Sequence, residues 1–466
     1  MLINPHVFGG CVRVPASKSH TIRRLLFAAL GDGLSRIERP LDSLDARSCA
    51  EAVKALGARV TEERYENTLA AYLVEGNGRR GANSGAPRRI DAGNSGTTLF
   101  LALAAASLDS VPCTFTGDEQ IARRSAGPLL DALAGLGVSV SSNGGCVPIT
   151  VRGPWKGGRV SIECPTSQYL SALLLAAPLA GRGITTEIDV PLLNEKPYIE
   201  MTMAYLAAQG LCAANGAAAN TAETAGGITY TPGYSHFRIS GGASYRSQNG
   251  PVAGDFSSAA FPAAAALISG GELALTGLDP ADTQGDKIFF EYLKTMGCNT
   301  GWEAPDTAEY AGENGPCRRL TVSRSGPLKG GVFDLNATPD MLPVMAVLAA
   351  YAEGETALVN AAHARIKETD RIACMAKELS RLGVDCEERP DGLVIHPGGK
   401  AGPRRRNVPC PAKTRGPVTV DGHGDHRIVM ALACAALGAA GPVEILGAEA
   451  ADVTYPGFFE LIGARN

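Results

Sequence analysis

Small polar clusters recur along the chain, each directly before or at the start of an alanine-rich apolar stretch. In order they are Ser17–Arg23, Gly93–Thr98, Pro165–Gln168, Gly254–Ser258, Thr338–Asp340 and Asp425–Arg427. Each contains a Ser, Thr, Asn or Asp of the kind that caps a helix N-terminus, and any single cluster could be a cap and nothing more. Helix N-termini also offer free N–H groups and partial positive charge, and here Lys18, Arg23 and Arg427 add cations. Together, the clusters predict a site for small, multiply charged anions such as phosphates and carboxylates.

A further charged segment, Arg365–Arg371, lies outside these helix starts. If this segment is helical, Lys367 and Arg371 lie one turn apart on one face and could bind an anion together. Glu368 could then carry a proton, because neighbouring cations would tune its pKa. The alternative is an exposed helix start with exchangeable ion pairs. In the turn-like segment Ile121–Arg124, two adjacent arginines are open to the same two interpretations.

The elements that would position these groups form a repeat. Six alanine-rich stretches are predicted to be buried helices, because they are apolar around most of their surface: Leu25–Leu30, Leu99–Ala106, Leu170–Leu179, Ser258–Ile268, Met341–Tyr351 and Ile428–Leu437. Amphipathic helices alternate with them and end at glycines suited to a left-handed turn: Gly57, Gly137, Gly210, Gly297, Gly383 and Gly463. A period of roughly 80 residues is too long for a solenoid. It predicts six units, each with one buried helix, one surface helix and short strands.

A chain of 466 residues is expected to form two domains. Six units divide into two sets of three, and the Gly/Ser-rich stretch Tyr245–Gly254 lies about halfway along the chain. We therefore predict one domain from residues 14–250 and a second from residues 1–13 plus 251–466. The first dozen residues precede the first unit, and they are expected to pair with the second domain.

Composition narrows the class of protein. A net charge of −4 without a long basic stripe argues against nucleic acid as a partner. The short run Arg404–Arg406, within Gly398–Pro417, is interpreted as a solvated loop. The apolar helices are shorter than the roughly 20 residues needed to cross a bilayer. Scattered cysteines without CxxC or metal-ligand spacing, and a Met1–Gly10 segment without export features, predict a cytoplasmic protein that binds no metal.

The motifs also resemble a known family. Pro15–Ser19 with Arg23 is similar to the opening motif of the 3-phosphoshikimate 1-carboxyvinyltransferase (EPSP synthase) family. Further matches follow in the family's order and cover nearly the whole chain: Gly93–Thr97, Thr166–Leu170, Lys196–Ile199, Gly254–Asp255 with Ser257–Ala259, Gln284–Asp286, Lys367–Arg371 and Asp425–Arg427. One motif alone would carry little weight, but this ordered set is specific.

The resemblance implies an α/β fold of two domains, an inside-out α/β barrel. Six βαβαββ-type repeats, three per domain, would surround the buried helices, with the active site in the interdomain cleft. It also implies an enzyme that transfers the enolpyruvyl group of phosphoenolpyruvate to the 5-hydroxyl of shikimate 3-phosphate through a tetrahedral ketal. No cofactor is expected, the partners are those two small molecules, and the protein is expected to be a monomer that binds neither nucleic acid nor membrane.

Residue roles follow from the same resemblance. The implied catalytic residues are Lys18, Asp340 and Glu368. The residues implied to bind shikimate 3-phosphate are Lys18, Ser19, Arg23, Thr166, Ser167, Gln168, Asp340 and Lys367. Those implied to bind phosphoenolpyruvate are Lys18, Asn94, Gly96, Arg124, Gln168, Arg371 and Arg427.

Four positions depart from the family pattern. Phe100 and Val453 stand where an arginine and a lysine are usual, Glu195 replaces a serine, and His363 replaces an asparagine. Loss of two cations predicts weaker binding of phosphoenolpyruvate, because a hydrogen bond to a charged group contributes about 1.5–3 kcal/mol. An active but divergent enzyme is therefore expected.

Two alternatives compete with this interpretation. The sister family that uses UDP-N-acetylglucosamine as acceptor normally has Lys-Asn at the first motif and a reactive cysteine where this chain has Ile121–Ser125. Here the first motif reads Lys18-Ser19, and no cysteine lies between Cys113 and Cys146. The other alternative is an anion-binding relative without catalysis, which would have no need of both proton carriers, Asp340 and Glu368.

Overall fold

The computed structural model describes residues 1–78, 85–212, 227–303, 311–312, 315–316, 318–396 and 417–464. The chain divides into two compact units. One unit comprises Lys18–Val252, and the other comprises Met1–Ser17 with Ala253–Asn466. We call them the 18–252 unit and the 253–466 unit. The segments Ala213–Gly226 and Arg404–Arg406, with most of Gly398–Pro417, lie outside the described residues.

The α-helices of the described residues are α1 Lys18–Leu30, α2 Leu44–Ala55, α3 Gly96–Ala106, α4 Gly127–Gly135, α5 Ser167–Ala176, α6 Lys196–Ala208, α7 Phe256–Ser269, α8 Ile288–Thr295, α9 Leu342–Ala350, α10 Arg371–Arg381, α11 His426–Leu437 and α12 Phe458–Leu461. The first strands are β1 Leu2–Ile3, β2 Gly10–Arg13, β3 Gly31–Glu38, β4 Arg59–Tyr65, β5 Thr68–Asn77, β6 Arg88–Asp91, β7 Cys113–Thr116, β8 Ser139–Asn143, β9 Cys146–Arg152, β10 Gly158–Ser161, β11 Thr185–Asp189, β12 Ile228–Tyr230, β13 His236–Ser240, β14 Tyr245–Arg246 and β15 Gly250–Pro251. The remaining strands are β16 Leu273–Thr276, β17 Asn299–Glu303, β18 Ala311–Gly312, β19 Gly315–Pro316, β20 Arg319–Ser323, β21 Leu328–Lys329, β22 Val332–Asp334, β23 Ala352–Glu353, β24 Thr356–Val359, β25 Asp385–Arg389, β26 Gly392–His396, β27 Val418–Asp421 and β28 Val443–Leu446.

One sheet pattern recurs in both units. A parallel strand pair is followed by two antiparallel neighbours, so that the last two strands in the chain are exchanged in the sheet. The 18–252 unit has this pattern in β6-β7-β9-β8, in β10-β11-β13-β12 and in β14-β3-β5-β4, where β15 also pairs with β3. The 253–466 unit has it in β2-β16-β20-β17 and β22-β24-β26-β25, and a shortened version in β27-β28-β1. The mixed α/β class and the internal repetition predicted from the sequence are therefore present.

The alanine-rich helices are buried, as predicted. Every residue of α3, α9 and α11 is buried, and α7 is buried from Phe256 to Ile268. Small side chains leave room for close packing between these helices, which is what an apolar surface on all sides requires. The predicted spans are shorter than most of the observed helices because polar starts such as Lys18–Arg23 are themselves helical.

The glycines that end the surface helices are left-handed, also as predicted. Their φ values are 106° at Gly57, 87° at Gly137, 78° at Gly210, 86° at Gly297, 81° at Gly383 and 71° at Gly463. A Cβ atom is strained in this region, so glycine is the residue that can end these helices and turn the chain into the next strand.

None of the helices in the described part of the chain is long and apolar enough to cross a membrane. Within the same residues, His, Cys, Asp and Glu side chains form no group of three that could hold a metal ion. The cysteines whose placement is described are free thiols.

Candidate active site

Arg371, the first residue of α10, binds three carboxylates inside the 253–466 unit. Its guanidinium donates to Asp340 at 2.7 Å, to Asp425 at 2.8 Å and to Glu368 at 2.5 Å. Only 1% of the Arg371 side chain is exposed. Arg427 reaches the second carboxylate oxygen of Asp340 at 2.8 Å. Both proposed proton carriers, Asp340 and Glu368, are therefore held by one buried cation.

This arrangement controls the charge of Asp340. Burial alone would raise its pKa, but Arg427, Arg371 and Lys367 together hold the pKa of Asp340 well below its usual range. Burial likewise opposes ionisation of Asp425, and Arg371 lowers the pKa of that carboxyl. These cations favour the ionised form of Asp340, and an anion that neutralised them would raise its pKa.

One prediction about the charged segment Arg365–Arg371 is wrong. Lys367 and Arg371 do not lie one helical turn apart, because Ala362–Ile366 is a short 3-10 helix and α10 begins only at Arg371. Asp370 caps α10 by accepting a hydrogen bond from the Ala373 N–H group, and Lys367 has non-helical dihedral angles of −84° and −149°. Arg371 therefore meets Glu368 across the non-helical turn that precedes α10, and meets Asp340 and Asp425 through tertiary contacts.

Asp286 is a second titratable group near this cluster. Its carboxylate accepts a hydrogen bond from the hydroxyl of Ser257 in the first turn of α7. Burial, reinforced by the charge of Asp340, raises the pKa of Asp286 from 3.8 to about 7. The group is therefore close to half protonated at neutral pH and lies among residues assigned to substrate.

We expect Asp286→Asn to stabilise the protein in a pH-dependent way. Between pH 4 and 7 the unfolded carboxyl is ionised while the folded one holds its proton, so this group lowers stability progressively as pH rises through that window. Asparagine removes the effect. The variant should therefore be more stable than wild type by roughly 4 kcal/mol at pH 7.5 but by almost nothing at pH 4, because a shift from 3.8 to about 7 counts for about 1.4 kcal/mol per pKa unit. Urea unfolding of both proteins at pH 4 and pH 7.5 measures this difference in the free energy of unfolding. A stability difference that does not change with pH would contradict the prediction.

In the 18–252 unit, the N-termini of α3 and α5 bring several predicted residues together. Ser95 caps α3 by accepting a hydrogen bond from the Thr98 N–H group. Gln168, in the first turn of α5, donates to the Thr97 hydroxyl at 2.9 Å. One hydrogen bond, between Gln168 and Thr97, thus joins the first turns of α5 and α3.

The Thr166–Ser167 pair at the start of α5 is not a simple cap. Both side chains and the Ser167 N–H group point to one carboxylate oxygen of Glu195, at 3.2, 2.8 and 3.0 Å. Glu195 is one of the positions that depart from the family pattern, and only 2% of it is exposed. A carboxylate therefore occupies a predicted phosphate-binding position, which the residue type at position 195 does not reveal by itself.

Lys18, Ser19 and Arg23 lie in the first two turns of α1. The Lys18 ammonium pairs with Asp45 at 3.1 Å. Arg23 is buried, and its guanidinium donates to the Thr202 hydroxyl at 3.0 Å and to the Ser19 carbonyl at 3.2 Å. Burial lowers the pKa of Arg23 to about 10, which leaves it charged at neutral pH.

Arg124, one of the residues assigned to phosphoenolpyruvate, lies beside Phe100 and Gly96. Its guanidinium carbon lies 5.9 Å from the ring centroid of Phe100, a cation–π contact. A Cβ atom added to Gly96 would come within 2.6 Å of the same guanidinium, so glycine permits the close approach of Arg124 to the start of α3. Asn94 donates to Asp118 at 2.6 Å and to Gln120 at 3.0 Å. Phe100 is thus a buried packing residue beneath Arg124.

The two departures in the 253–466 unit differ in burial. His363 is buried in the 3-10 helix Ala362–Ile366, where its Nε2 atom donates to the Asn336 carbonyl at 3.1 Å. Val453 is half-buried and ends the 3-10 helix Ala448–Val453.

Two buried carboxylates at these sites, Asp425 and Asp286, have no role predicted from the sequence. Asp425 caps α11 and also holds Arg371 and Thr369, and its place in the Asp425–Arg427 cluster was the available signal. For Asp286, the available signal was its place in the Gln284–Asp286 motif. Because a capping aspartate looks the same in sequence whether or not it binds a second group, the additional contact could not be inferred.

Comparisons with known proteins agree with the predicted resemblance. A family model described as EPSP synthase (3-phosphoshikimate 1-carboxyvinyltransferase) matches residues 4–462. A 3-phosphoshikimate 1-carboxyvinyltransferase from Acetivibrio thermocellus is 41% identical over 456 residues, 97% of this chain and 95% of that protein. One from Halobacterium salinarum is 38% identical over 468 residues, 99% of this chain and 97% of that protein. A solved structure of EPSP synthase from Acinetobacter baumannii aligns with a TM-score of 0.73 at 26% identity, covering 99% of this chain and 97% of that one. With its helix-start clusters and its buried arginine–carboxylate cluster, the chain belongs to the EPSP synthase (3-phosphoshikimate 1-carboxyvinyltransferase) family.

Proposed function

We propose that this chain transfers the enolpyruvyl group of phosphoenolpyruvate to the 5-hydroxyl of shikimate 3-phosphate, a step of aromatic amino-acid biosynthesis. One observation carries the proposal for a chain of this family. Asp340 is kept ionised between Arg371 and Arg427, and Glu368 shares the same guanidinium. The reaction needs two proton-transfer groups beside cations for an anionic substrate, and this cluster supplies both.

The addition step uses the cluster as follows. The acceptor's 5-hydroxyl oxygen forms a bond to C2 of phosphoenolpyruvate, its proton passes to Asp340, and Glu368 gives a proton to C3. An anionic group of phosphoenolpyruvate bound at Arg371 and Arg427 would offset the charges that hold the pKa of Asp340 low. The pKa of Asp340 would then rise, making it a stronger base when the donor substrate is present.

The elimination step reverses the proton transfer at carbon. The C2–O bond to phosphate breaks, and phosphate leaves with the electron pair and takes up the proton that Asp340 had accepted. C3 returns a proton to Glu368, which restores the double bond. Fixed cations stabilise the charge that develops on the departing phosphate. We assign that role to Arg371, Arg427 and Arg124.

Acceptor binding is assigned to residues of the 18–252 unit and to two further residues, Asp340 and Lys367. We propose that Ser19 and Arg23 bind the shikimate carboxylate, that Thr166, Ser167 and Lys367 bind the 3-phosphate, and that Gln168 lies beside the reacting centre. Lys18 is proposed to contact both substrates, and Asn94 and Gly96 are proposed to bind phosphoenolpyruvate. The helix N-termini at Gly96 and Ser167 support an assignment to anionic ligands.

We also propose the detailed architecture, the oligomeric state and the location of the protein. The recurring four-stranded sheets around buried helices support an inside-out α/β barrel of six repeats. We also propose a monomeric cytoplasmic enzyme that acts on small molecules without a cofactor and binds neither nucleic acid nor membrane. The net charge of −4, without a long basic stripe, is the support against nucleic acid as a partner.

A single assay tests the proposed function. Phosphate release from phosphoenolpyruvate is measured with shikimate 3-phosphate, with UDP-N-acetylglucosamine and without an acceptor. We expect release only with shikimate 3-phosphate. Release with the nucleotide sugar would assign the chain to the sister activity, and release with neither acceptor would indicate an anion-binding relative without catalysis.

We also expect Val453→Lys to lower the KM for phosphoenolpyruvate about tenfold, because a hydrogen bond to a charged group contributes about 1.5–3 kcal/mol and about 1.4 kcal/mol is a factor of ten. The KM for shikimate 3-phosphate should stay the same. Val332→Lys, at an exposed position of the same unit, is the matched control and should change neither constant. An unchanged KM for phosphoenolpyruvate in Val453→Lys would show that the missing lysine does not weaken this site.

A further inference from the structure

Glu195 lies in the connection between β11 and α6 and has an unusual backbone conformation. It directly precedes α6, with φ of 57° and ψ of 40°, a left-handed conformation that side-chain-bearing residues rarely adopt. Its side chain is nevertheless buried, with 2% exposure. A buried glutamate in a left-handed position requires specific partners, because an ionised carboxylate is costly to remove from water.

The partners of Glu195 are the anion-binding donors of α5. One carboxylate oxygen accepts hydrogen bonds from the Ser167 hydroxyl at 2.8 Å, the Ser167 N–H group at 3.0 Å and the Thr166 hydroxyl at 3.2 Å. The Ser167 N–H group has no partner within the ten-residue helix, because it lies at the helix N-terminus, where the helix dipole favours negative charge. The chain therefore provides its own anion to this helix start.

These donors are the ones that the proposed function assigns to the 3-phosphate of the acceptor, and the inference rests on that function. A phosphate group and the Glu195 carboxylate cannot accept the same hydrogen bonds at once, and two anions at one helix start repel each other. We propose that Glu195 is an internal competitor for the acceptor's phosphate group, so that shikimate 3-phosphate must displace this carboxylate in order to bind at Thr166 and Ser167. The residue at position 195 then sets how strongly the enzyme distinguishes a phosphorylated acceptor from an unphosphorylated one.

The experiment compares ligand binding in wild type, Glu195→Ser and Glu195→Gln by calorimetry. Glu195→Ser removes the competing anion, and Glu195→Gln removes its charge at nearly constant shape. We expect the Kd for shikimate 3-phosphate to fall about tenfold or more in Glu195→Ser and by a smaller factor in Glu195→Gln. Inorganic phosphate should bind more tightly in the same order, while the Kd for unphosphorylated shikimate stays within about twofold of wild type.

Glu200→Gln is the matched control. Glu200 is exposed on the same helix, α6, and its substitution should leave all three dissociation constants unchanged. Far-UV circular dichroism checks that each variant is folded, and Glu195→Gln serves as the test if Glu195→Ser does not fold.

Two results would overturn the inference: an unchanged or raised Kd for shikimate 3-phosphate in both Glu195 variants, or equal tightening of shikimate and shikimate 3-phosphate. Failure of the proposed function is separate and recognisable. In that case no variant releases phosphate from phosphoenolpyruvate with shikimate 3-phosphate, whereas the binding of inorganic phosphate still reports whether Glu195 competes at α5.

Discussion

Glu368→Gln is expected to lower kcat by about 10²- to 10⁴-fold, the range that general acid–base catalysis contributes. Glutamine keeps the size of the side chain and an oxygen that can still accept the hydrogen bond from Arg371, but it cannot give or take the proton at C3 of phosphoenolpyruvate. KM values should change little. The decisive measurement is exchange of the C3 hydrogens of phosphoenolpyruvate with deuterated solvent in the presence of shikimate 3-phosphate, which should decline together with kcat.

The matched control for this substitution is Glu291→Gln. Glu291 is an exposed glutamate on α8 of the same unit that pairs with Lys294, and its substitution should leave turnover and exchange unchanged. If Glu368→Gln lost turnover but exchanged C3 hydrogens at the wild-type rate, Glu368 would not be the group that transfers this proton.

Arg371→Met is expected to destabilise the 253–466 unit by about 3–5 kcal/mol, because removing one partner leaves buried charges uncompensated. Methionine fills a similar volume but leaves Asp340, Asp425 and Glu368 without their shared cation. The chain has two tryptophans, Trp155 and Trp302, one in each unit. In a Trp155→Phe background, urea unfolding followed by Trp302 fluorescence reports on the 253–466 unit alone.

The destabilisation should also depend on pH. Arg371 is a main cause of the lowered pKa values of Asp340 and Asp425, so the stability it provides is present above their ordinary value of 3.8 and is lost as pH falls below it. The gap between wild type and Arg371→Met should therefore narrow on acidification. Arg389→Met, which breaks an exposed pair with Glu387, should cost no more than about 1 kcal/mol. Equal losses in the two variants would show that burial of Arg371 adds nothing.

Much of the fold could be predicted because it depends on local rules. Helices dense in alanine are apolar on all sides, and such helices are stable only when they are surrounded by other elements. A glycine that ends an amphipathic helix indicates a left-handed turn, and Gly57 and Gly383 show it with φ values of 106° and 81°. Both signals lie within a few residues of sequence, so they do not depend on knowing what packs against them.

The site was predictable only in part, since its geometry depends on contacts between distant segments. Arg371 binds Asp425 and Asp340, which lie 54 and 31 residues away. Helix periodicity predicted that Lys367 lies one turn from Arg371, but Lys367 is not in a helix. Glu195 lies 28 residues from Ser167, and its sequence context gave no indication that its carboxylate would reach the start of α5.

The sequence by itself thus determined the repeat, the buried helices, their polar starts and the family, because residue type and spacing along the chain are enough for each. Only the tertiary structure decided which charges meet. It placed Asp340 and Glu368 on one buried guanidinium, and it placed Glu195 on the donors expected to bind a phosphate. The physical reason is that electrostatic and hydrogen-bond energies depend on distances and burial in space, and the chain brings these groups together only when it folds.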